Sequence, residues 1–250
     1  MRIVLKVGTA VLTDGDKIAK ERMLNLVTFI NDLRKDNEVI LVSSGAVAVG
    51  YTKVKMDKSE LKNKQALAAI GQPMLMRMYE ELFEIYGVVS SQVLVTAKNL
   101  NHERDVKRIN NTINTLLEQG VIPIINENDA TSTFELEVGD NDQLSAYVTM
   151  GVEADMLVLL SDIDGYYNCD PKKNDGAKLL KNVVTVSTDE LMYNVEKGSE
   201  FSTGGIVTKL KAAKYLLEFS KPTFLGSGFD LTDIRSFLLD NKHIGGTLFK

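Results

Sequence analysis

Residues 121–129 read Val-Ile-Pro-Ile-Ile-Asn-Glu-Asn-Asp. An apolar run stops abruptly in amides and carboxylates. A short apolar run with a polar end suits a strand buried on both faces. The pattern recurs at residues 2–7, Arg-Ile-Val-Leu-Lys-Val, before Gly8-Thr9, where a tight turn is expected. It returns at Val39–Val42 before Ser43-Ser44-Gly45, and at Met156–Leu160 before Ser161-Asp162. Val88–Val95 reads as another strand, 183–186 as a short one, and 222–225 and 247–249 as closing strands.

Helical spacings separate these runs. Met23, Leu26, Ile30 and Leu33 mark a helix over 19–35, and a small-residue segment at 46–50 starts another. Leu67, Ile70, Met74, Met78, Leu82 and Ile85 mark one over 65–86, which Gly71 and Pro73 are expected to kink or break. Ile109, Ile113 and Leu116 mark a helix over 101–119, closed by Gly120. Further helices are expected at 143–150, 189–196 and 206–219, with loops at 13–16, 53–64 and 199–205. Alternating strands and helices, with near-continuous apolar strands, predict a mainly parallel sheet covered on both faces. The fold class is α/β, a three-layer αβα sandwich. Neither a linker nor a repeat divides the chain, so a single domain over 1–250 is expected.

Composition narrows the function. The chain has 250 residues, 44% of them apolar and 25% charged, with a formal net charge of -5. An acidic balance argues against nucleic acid as the main partner. Cys169 is the single cysteine, so an intrachain disulfide is excluded; it sits in a turn-rich stretch without a histidine beside it and reads as an incidental thiol. His102 and His243 show no zinc spacing. The N-terminal run is too short and charged for a signal peptide, and apolar windows of membrane-spanning length are missing. A cytoplasmic, soluble protein is expected.

In parallel sheets ligands bind outside the carboxyl ends of the strands, and the polar endings of four strand runs converge there. Residues 126–129 and 140–142 add two acidic knots, Asn-Glu-Asn-Asp and Asp-Asn-Asp, with the alternating segment 134–138 between them. Crowded carboxylates cannot be buried without a cation nearby: lysine, metal or ligand. Two Asn/Asp turns and a helix cap would leave the same trace. Gly45–Gly50 has the outline of a phosphate loop, but Tyr51-Thr52 follows where lysine and a hydroxyl residue belong. Gly226-Ser-Gly228 lacks the third glycine of a dinucleotide fingerprint. Lys6, inside an apolar strand and just before Gly8-Thr9, is an unusual place for a lysine. Gly204-Gly205 leads into a helix N-terminus with Thr208-Lys209 about one turn in, a ready anion site. Separated lysines, glycine-rich turns and an acidic cluster suit phosphoryl transfer, where cations offset the repulsion between an anionic acceptor and the γ-phosphate.

KVGTAVLT (6–13), LVSSGAVAVG (41–50), INENDA (125–130), VGDNDQLSA (138–146), LLSDIDGYY (159–167) and FSTGGIVTKLKAA (201–213) together resemble the glutamate 5-kinases of the amino acid kinase family. The likeness runs in order over essentially the whole chain. It implies the carbamate kinase-like fold, with a glutamate-binding N-terminal lobe to about residue 151 and an ATP-binding lobe from about 152. It implies ATP-dependent phosphorylation of the glutamate γ-carboxylate, the first step of proline synthesis. Lys6 and Lys209 would act on the transferring phosphoryl group, and Asp142 would orient them. Ser44, Asp129 and Asn141 would bind glutamate, with Asp129 facing its ammonium and Asp140 and Asn126 in support. Gly8, Thr9, Ser161, Asp162 and the run Thr203, Gly204, Gly205, Ile206, Val207, Thr208 and Lys209 would lie along ATP. Magnesium would ride on the ATP phosphates rather than in a protein cage. Proline as a feedback inhibitor and a homodimer or homotetramer also follow from the likeness. Acetylglutamate, aspartate and UMP are acceptors of related kinases, and a catalytically silent ligand-binding regulator is the rival from another class. Two departures stand out. Ala10 occupies a place where serine is common in the family, and the sequence stops at Gly246-Thr-Leu-Phe-Lys250 where many members continue into a PUA domain.

Overall fold

The computed structural model describes residues 1–100, 102–131, 141–171, 173–187, 191 and 205–250. In chain order these form β1 (Arg2–Val7), α1 (Thr9–Leu12), β2 (Thr13–Asp14), β3 (Lys17–Ile18), α2 (Lys20–Leu33), β4 (Glu38–Ser43), α3 (Ala46–Lys53), α4 (Leu61–Glu84), β5 (Ser90–Val95), α5 (Ala97–Leu100) and α6 (Glu103–Glu118). They continue with β6 (Ile122–Glu127), α7 (Asn141–Gly151), β7 (Met156–Ser161), β8 (Asn182–Val183), α8 (Ile206–Leu217), β9 (Thr223–Ser227), α9 (Thr232–Leu239) and β10 (Thr247–Phe249). Expected elements at 134–138 and 189–196, and most of the 199–205 loop, fall outside the described residues apart from Leu191 and Gly205.

Eight strands form one sheet in the order β5-β6-β4-β1-β7-β9-β10-β8. Every pairing in it is parallel except β9 with β10. The two faces carry separate apolar clusters. Ile3, Leu5 and Val7 join α2 and α4 on one face. Val4 joins α7 and α8 on the other. Successive side chains alternate across a strand, so Lys6 shares the face of Val4, α7 and α8. The αβα layering expected of the apolar strands is therefore present, and β1 lies at its centre.

Three local expectations are corrected. Gly8-Thr9 leads into the short helix α1 rather than a bare turn, and 13–16 contributes to a small hairpin. Helix α4 runs unbroken through Gly71 and Pro73. Pro73 removes one intrahelical donor, but burial of Leu67, Gly71, Leu75 and Tyr79 holds the helix against the core. The expected 101–119 helix is present as α6, with the separate short helix α5 ahead of it. Helix α9 went unread, although Leu231, Ile234 and Phe237 have helical spacing and the Asp230 carboxylate accepts from the Thr232 N–H at 2.9 Å.

Helix α3 approaches α4 through glycine. A methyl group on Gly71 would come within 1.8 Å of the Ala46 carbonyl oxygen and 2.5 Å of the Gly50 nitrogen. These are backbone atoms and cannot rotate aside. Gly71→Ala is expected to destabilise by about 3 kcal/mol, on the order of 10 °C in Tm for a chain of this size. Thermal denaturation followed by circular dichroism checks this; an unchanged Tm would mean the helices separate freely. Gly45 turns the chain from β4 into α3 at φ 104°, a conformation side chains with a Cβ rarely adopt. Among the described residues, no helix is long and apolar enough to cross a membrane.

Candidate active site

The carboxyl ends of β1, β4, β6 and β7 face one crevice, and the amino ends of α7 and α8 close on it. Helix α7 begins at Asn141, two residues before the expected Gln143, so Asn141 and Asp142 belong to its first turn. A carboxylate there is favoured by the helix dipole. Asp142 is nonetheless fully buried, which requires partners. Lys6 from β1 forms an ion pair with Asp142 Oδ1. Lys209 from the first turn of α8 reaches Asp142 Oδ2 at 3.0 Å. Thr208 donates its hydroxyl to the same oxygen at 2.9 Å. Both lysines are only 5% exposed. Within this triad two ammonium groups face one carboxylate. Sequence reasoning had placed Thr208 along the nucleotide; here its hydroxyl holds Asp142.

A second group of side chains adjoins the triad through Asn141. Its Nδ2 donates to Ser44 Oγ at 2.8 Å and to Asn126 Oδ1 at 3.1 Å. Ser44 is positioned by its own N–H, which bonds the Val7 carbonyl at 3.2 Å, and by the neighbouring turn at Gly45. Beneath it Ser43 and the phenol of Tyr79 are hydrogen-bonded at 2.9 Å. Burial pushes the Tyr79 phenol well above its ordinary value, so it stays neutral here. Beside these residues lies a cavity of about 180 Å³ lined by Ala46, Gln72, Gln92, Leu94, Glu127 and Asp129, among others. Asp129 and Glu127 are both buried. Gln72 donates to Gln92 at 2.8 Å and accepts from Asn126 at 2.8 Å. Neither glutamine draws attention in the sequence, and Glu127 does so only as a member of the 126–129 knot, without an assigned role. Gln72 sits in an ordinary helical register, and only the pairing of β5 with β6 brings Gln92 opposite Ile124.

The remaining expected residues line the other side of the crevice. Gly8 donates its N–H to the Leu160 carbonyl at 3.1 Å, tying β1 to β7 at their ends. Ser161 is buried and donates to the exposed Asp162 at 2.9 Å. Gly205 caps α8, and its carbonyl oxygen lies 2.9 Å from the Thr208 hydroxyl, an alternative acceptor to Asp142 for that one proton. Ile206 and Val207 bury their side chains in the α7–α8 core. Thr9 and Ala10 are exposed on α1. Asp140, Thr203 and Gly204 lie outside the described residues.

The profile of the amino acid kinase family matches residues 1–227. The chain belongs to the amino acid kinase family. It is 49% identical to a glutamate 5-kinase of Leishmania donovani over 248 residues, covering 99% of this chain and 94% of that one. Identity to a glutamate 5-kinase of Wolinella succinogenes is 47% over 253 residues, covering 99% and 97%. The fold is also that of isopentenyl phosphate kinase, whose solved structure superimposes with a TM-score of 0.68 at 18% identity over all of both chains. At that identity the likeness speaks for the fold alone. In this chain the buried Lys6–Asp142–Lys209 triad lies at the carboxyl ends of the strands, and the Ser44–Asn141–Asn126 cluster adjoins it.

Proposed function

We propose that this chain transfers the γ-phosphoryl group of ATP to the γ-carboxylate of L-glutamate, giving L-glutamyl 5-phosphate and ADP, the first step of proline synthesis. The observation that carries the reading is the buried Lys6–Asp142–Lys209 triad immediately beside the Ser44–Asn141–Asn126 cluster. Phosphoryl transfer to a carboxylate needs little covalent chemistry from the protein. It needs the two anions held close and the charge of a loose transition state spread onto fixed cations. Lys6 and Lys209 supply those cations, and Asp142 holds both in place without lengthy side-chain searching. Names of the relatives at 47–49% identity support glutamate as the acceptor.

Ser44, Asn141, Asn126 and Asp129 hold glutamate, with the Asp129 carboxylate directed to its ammonium. Gly8, Thr9, Ser161, Asp162 and the start of α8 receive the nucleotide. Residues to about 151 form the glutamate-binding lobe and the remainder the ATP-binding lobe of a single domain. Magnesium arrives with ATP as part of the nucleotide substrate. This ion usually keeps several waters and binds through the substrate phosphates, so no dedicated protein cage is invoked for it. Family resemblance supports proline as a feedback ligand and a dimer or tetramer. A cytoplasmic location goes with the use of intracellular ATP.

Hydroxylamine trapping tests the reaction. Wild-type protein with MgATP and glutamate should accumulate the γ-hydroxamate, and aspartate, acetylglutamate or UMP should not replace glutamate. Absence of product with every acceptor, including ADP release with UMP, would overturn the assignment in favour of a silent binding protein. Asp129→Ala should raise the glutamate KM on the order of a hundredfold, as expected for loss of a charge-assisted contact worth about 3 kcal/mol, while the ATP KM stays unchanged. An unaltered glutamate KM would remove Asp129 from the acceptor site.

A further inference from the structure

The amide chain beside the cavity has a polarity that one backbone group sets. The peptide N–H of Glu127 donates to Asn126 Oδ1 at 2.9 Å. A peptide nitrogen can only donate, so the Asn126 atom facing it must be the carbonyl oxygen. Asn126 Nδ2 is then directed to Gln72 Oε1 at 2.8 Å, and Gln72 Nε2 to Gln92 Oε1 at 2.8 Å. In the other direction Asn126 Oδ1 accepts from Asn141 Nδ2 at 3.1 Å, and that nitrogen also donates to Ser44 Oγ at 2.8 Å. Each amide is therefore held in one of its two flipped states.

The consequence falls on Asn141, which is only 1% exposed. With its nitrogen committed, its remaining polar atom is Oδ1. That oxygen is buried and meets no hydrogen-bond donor among the described residues. A buried acceptor left in this state is unfavourable until a donor arrives. L-Glutamate at neutral pH offers two carboxylates, which only accept, and one ammonium, which only donates. The acceptor on Asn141 thus suits the ammonium. Ser44, whose oxygen already accepts from Asn141, keeps its hydroxyl proton for a carboxylate.

We infer that Gln72, seated against Gln92, is a positioning residue whose side-chain oxygen fixes the amide orientation of Asn126 and Asn141 and so makes the acceptor pocket selective for a dicarboxylate that bears an α-ammonium. This rests on the acceptor reading proposed above. Asn126 has two orientation constraints, the Glu127 N–H and Gln72 Oε1; removing the second lets its amide turn, and Asn141 with it. The Gln72–Asn126 bond is part-buried, whereas the Gln72–Gln92 bond is exposed. The larger effect therefore belongs to Gln72.

Binding of L-glutamate and of glutarate, the same diacid without nitrogen, is measured by calorimetry on wild type, Gln72→Leu and Gln72→Glu, with kcat and the ATP KM determined in parallel. Gln72→Leu should lower the preference for glutamate over glutarate about tenfold, the size of one hydrogen bond to a charged group. The loss should come from weaker glutamate binding, with glutarate affinity and the ATP KM held near wild type. Gln72→Glu retains an oxygen facing Asn126 and should keep at least the wild-type preference, because its added charge opposes the dianionic glutarate more than glutamate, which carries an ammonium. Gln72→Met, similar in length and without polar hydrogen-bonding atoms beyond its sulfur, should repeat the leucine result, because the lost oxygen and not altered packing is the cause. Equal weakening of both ligands by leucine and methionine, or an unchanged preference, would reduce Gln72 to a structural residue and overturn the inference. A wild type that binds glutarate as well as glutamate would overturn it too. A wild type that prefers glutamate but forms no acyl phosphate would instead refute the proposed reaction and leave the pocket's selectivity standing.

Discussion

Asp142→Ala is expected to lose at least about three orders of magnitude in turnover, because it releases both cations proposed to act on the phosphoryl group. It should also destabilise the fold by about 4 kcal/mol. The Asp142 side chain is wholly inaccessible and those of Lys6 and Lys209 nearly so. Such a cluster is tolerable only while opposite charges meet. Without Asp142, two ammonium groups and the Thr208 hydroxyl face a void, and the lysines repel each other. Asp142→Asn separates the two effects. The amide fills nearly the same volume, and its oxygen still accepts one hydrogen bond. Its nitrogen, however, presents donors to a donor and leaves both lysine charges uncompensated by this residue. The asparagine variant should therefore fold more stably than the alanine variant while turning over as poorly. Urea unfolding monitored by circular dichroism, beside hydroxamate assays, reads the two quantities independently. Near-normal turnover in Asp142→Asn would mean that charge at this position is unimportant. Because the pairs are buried, raising ionic strength should change the stability difference between wild type and variant very little.

How far the sequence disclosed this site depends on what each residue's environment contributes. Lys6 was conspicuous because alternation in a strand forces every other side chain onto a packed face, and a lysine there must have a partner. Its strand run and polar ending were readable locally. The partner was not: Asp142 lies 136 positions away in sequence, and crossover connections alone bring α7 against β1. The Gly204-Gly205 approach to Lys209 was likewise visible as a helix-opening pattern. Thr208 was read as a nucleotide contact because a hydroxyl beside a lysine looks the same in either use, and only the fold turns it toward Asp142. Gln72 and Gln92 carried no signal, since an amide on a helix face or an edge strand is ordinary surface chemistry. Helix α4 shows the converse limit. Proline propensity argued for an interruption, and tertiary burial of one face overrode a local cost that concerns a single hydrogen bond.

Lys6→Ala and Lys209→Ala provide the sharper test of mechanism, because each should keep the fold. With Lys6 removed, Asp142 still has Lys209 at 3.0 Å and the Thr208 hydroxyl at 2.9 Å. With Lys209 removed, it still has Lys6. Neither change strands a buried carboxylate, so stability should fall far less than in Asp142→Ala. Turnover is another matter. Each lysine is fixed before substrate arrives, and a fixed donor aimed at charge that grows in the transition state is worth roughly 10²–10³ in kcat. The glutamate KM should change little, since the residues proposed to hold the acceptor, Ser44, Asn141 and Asp129, lie on other elements. Arginine should not rescue either position: its planar fork is larger and cannot reproduce a compact ammonium in so closed a site. The double variant should lose less than the product of the single losses, because Lys6 and Lys209 share one carboxylate and act as a unit. Steady-state kinetics on the four proteins, with Tm measured alongside, decides the matter. Near-normal kcat in both single variants would remove the lysines from the chemical step, whereas a rise in glutamate KM at constant kcat would move them to ground-state binding.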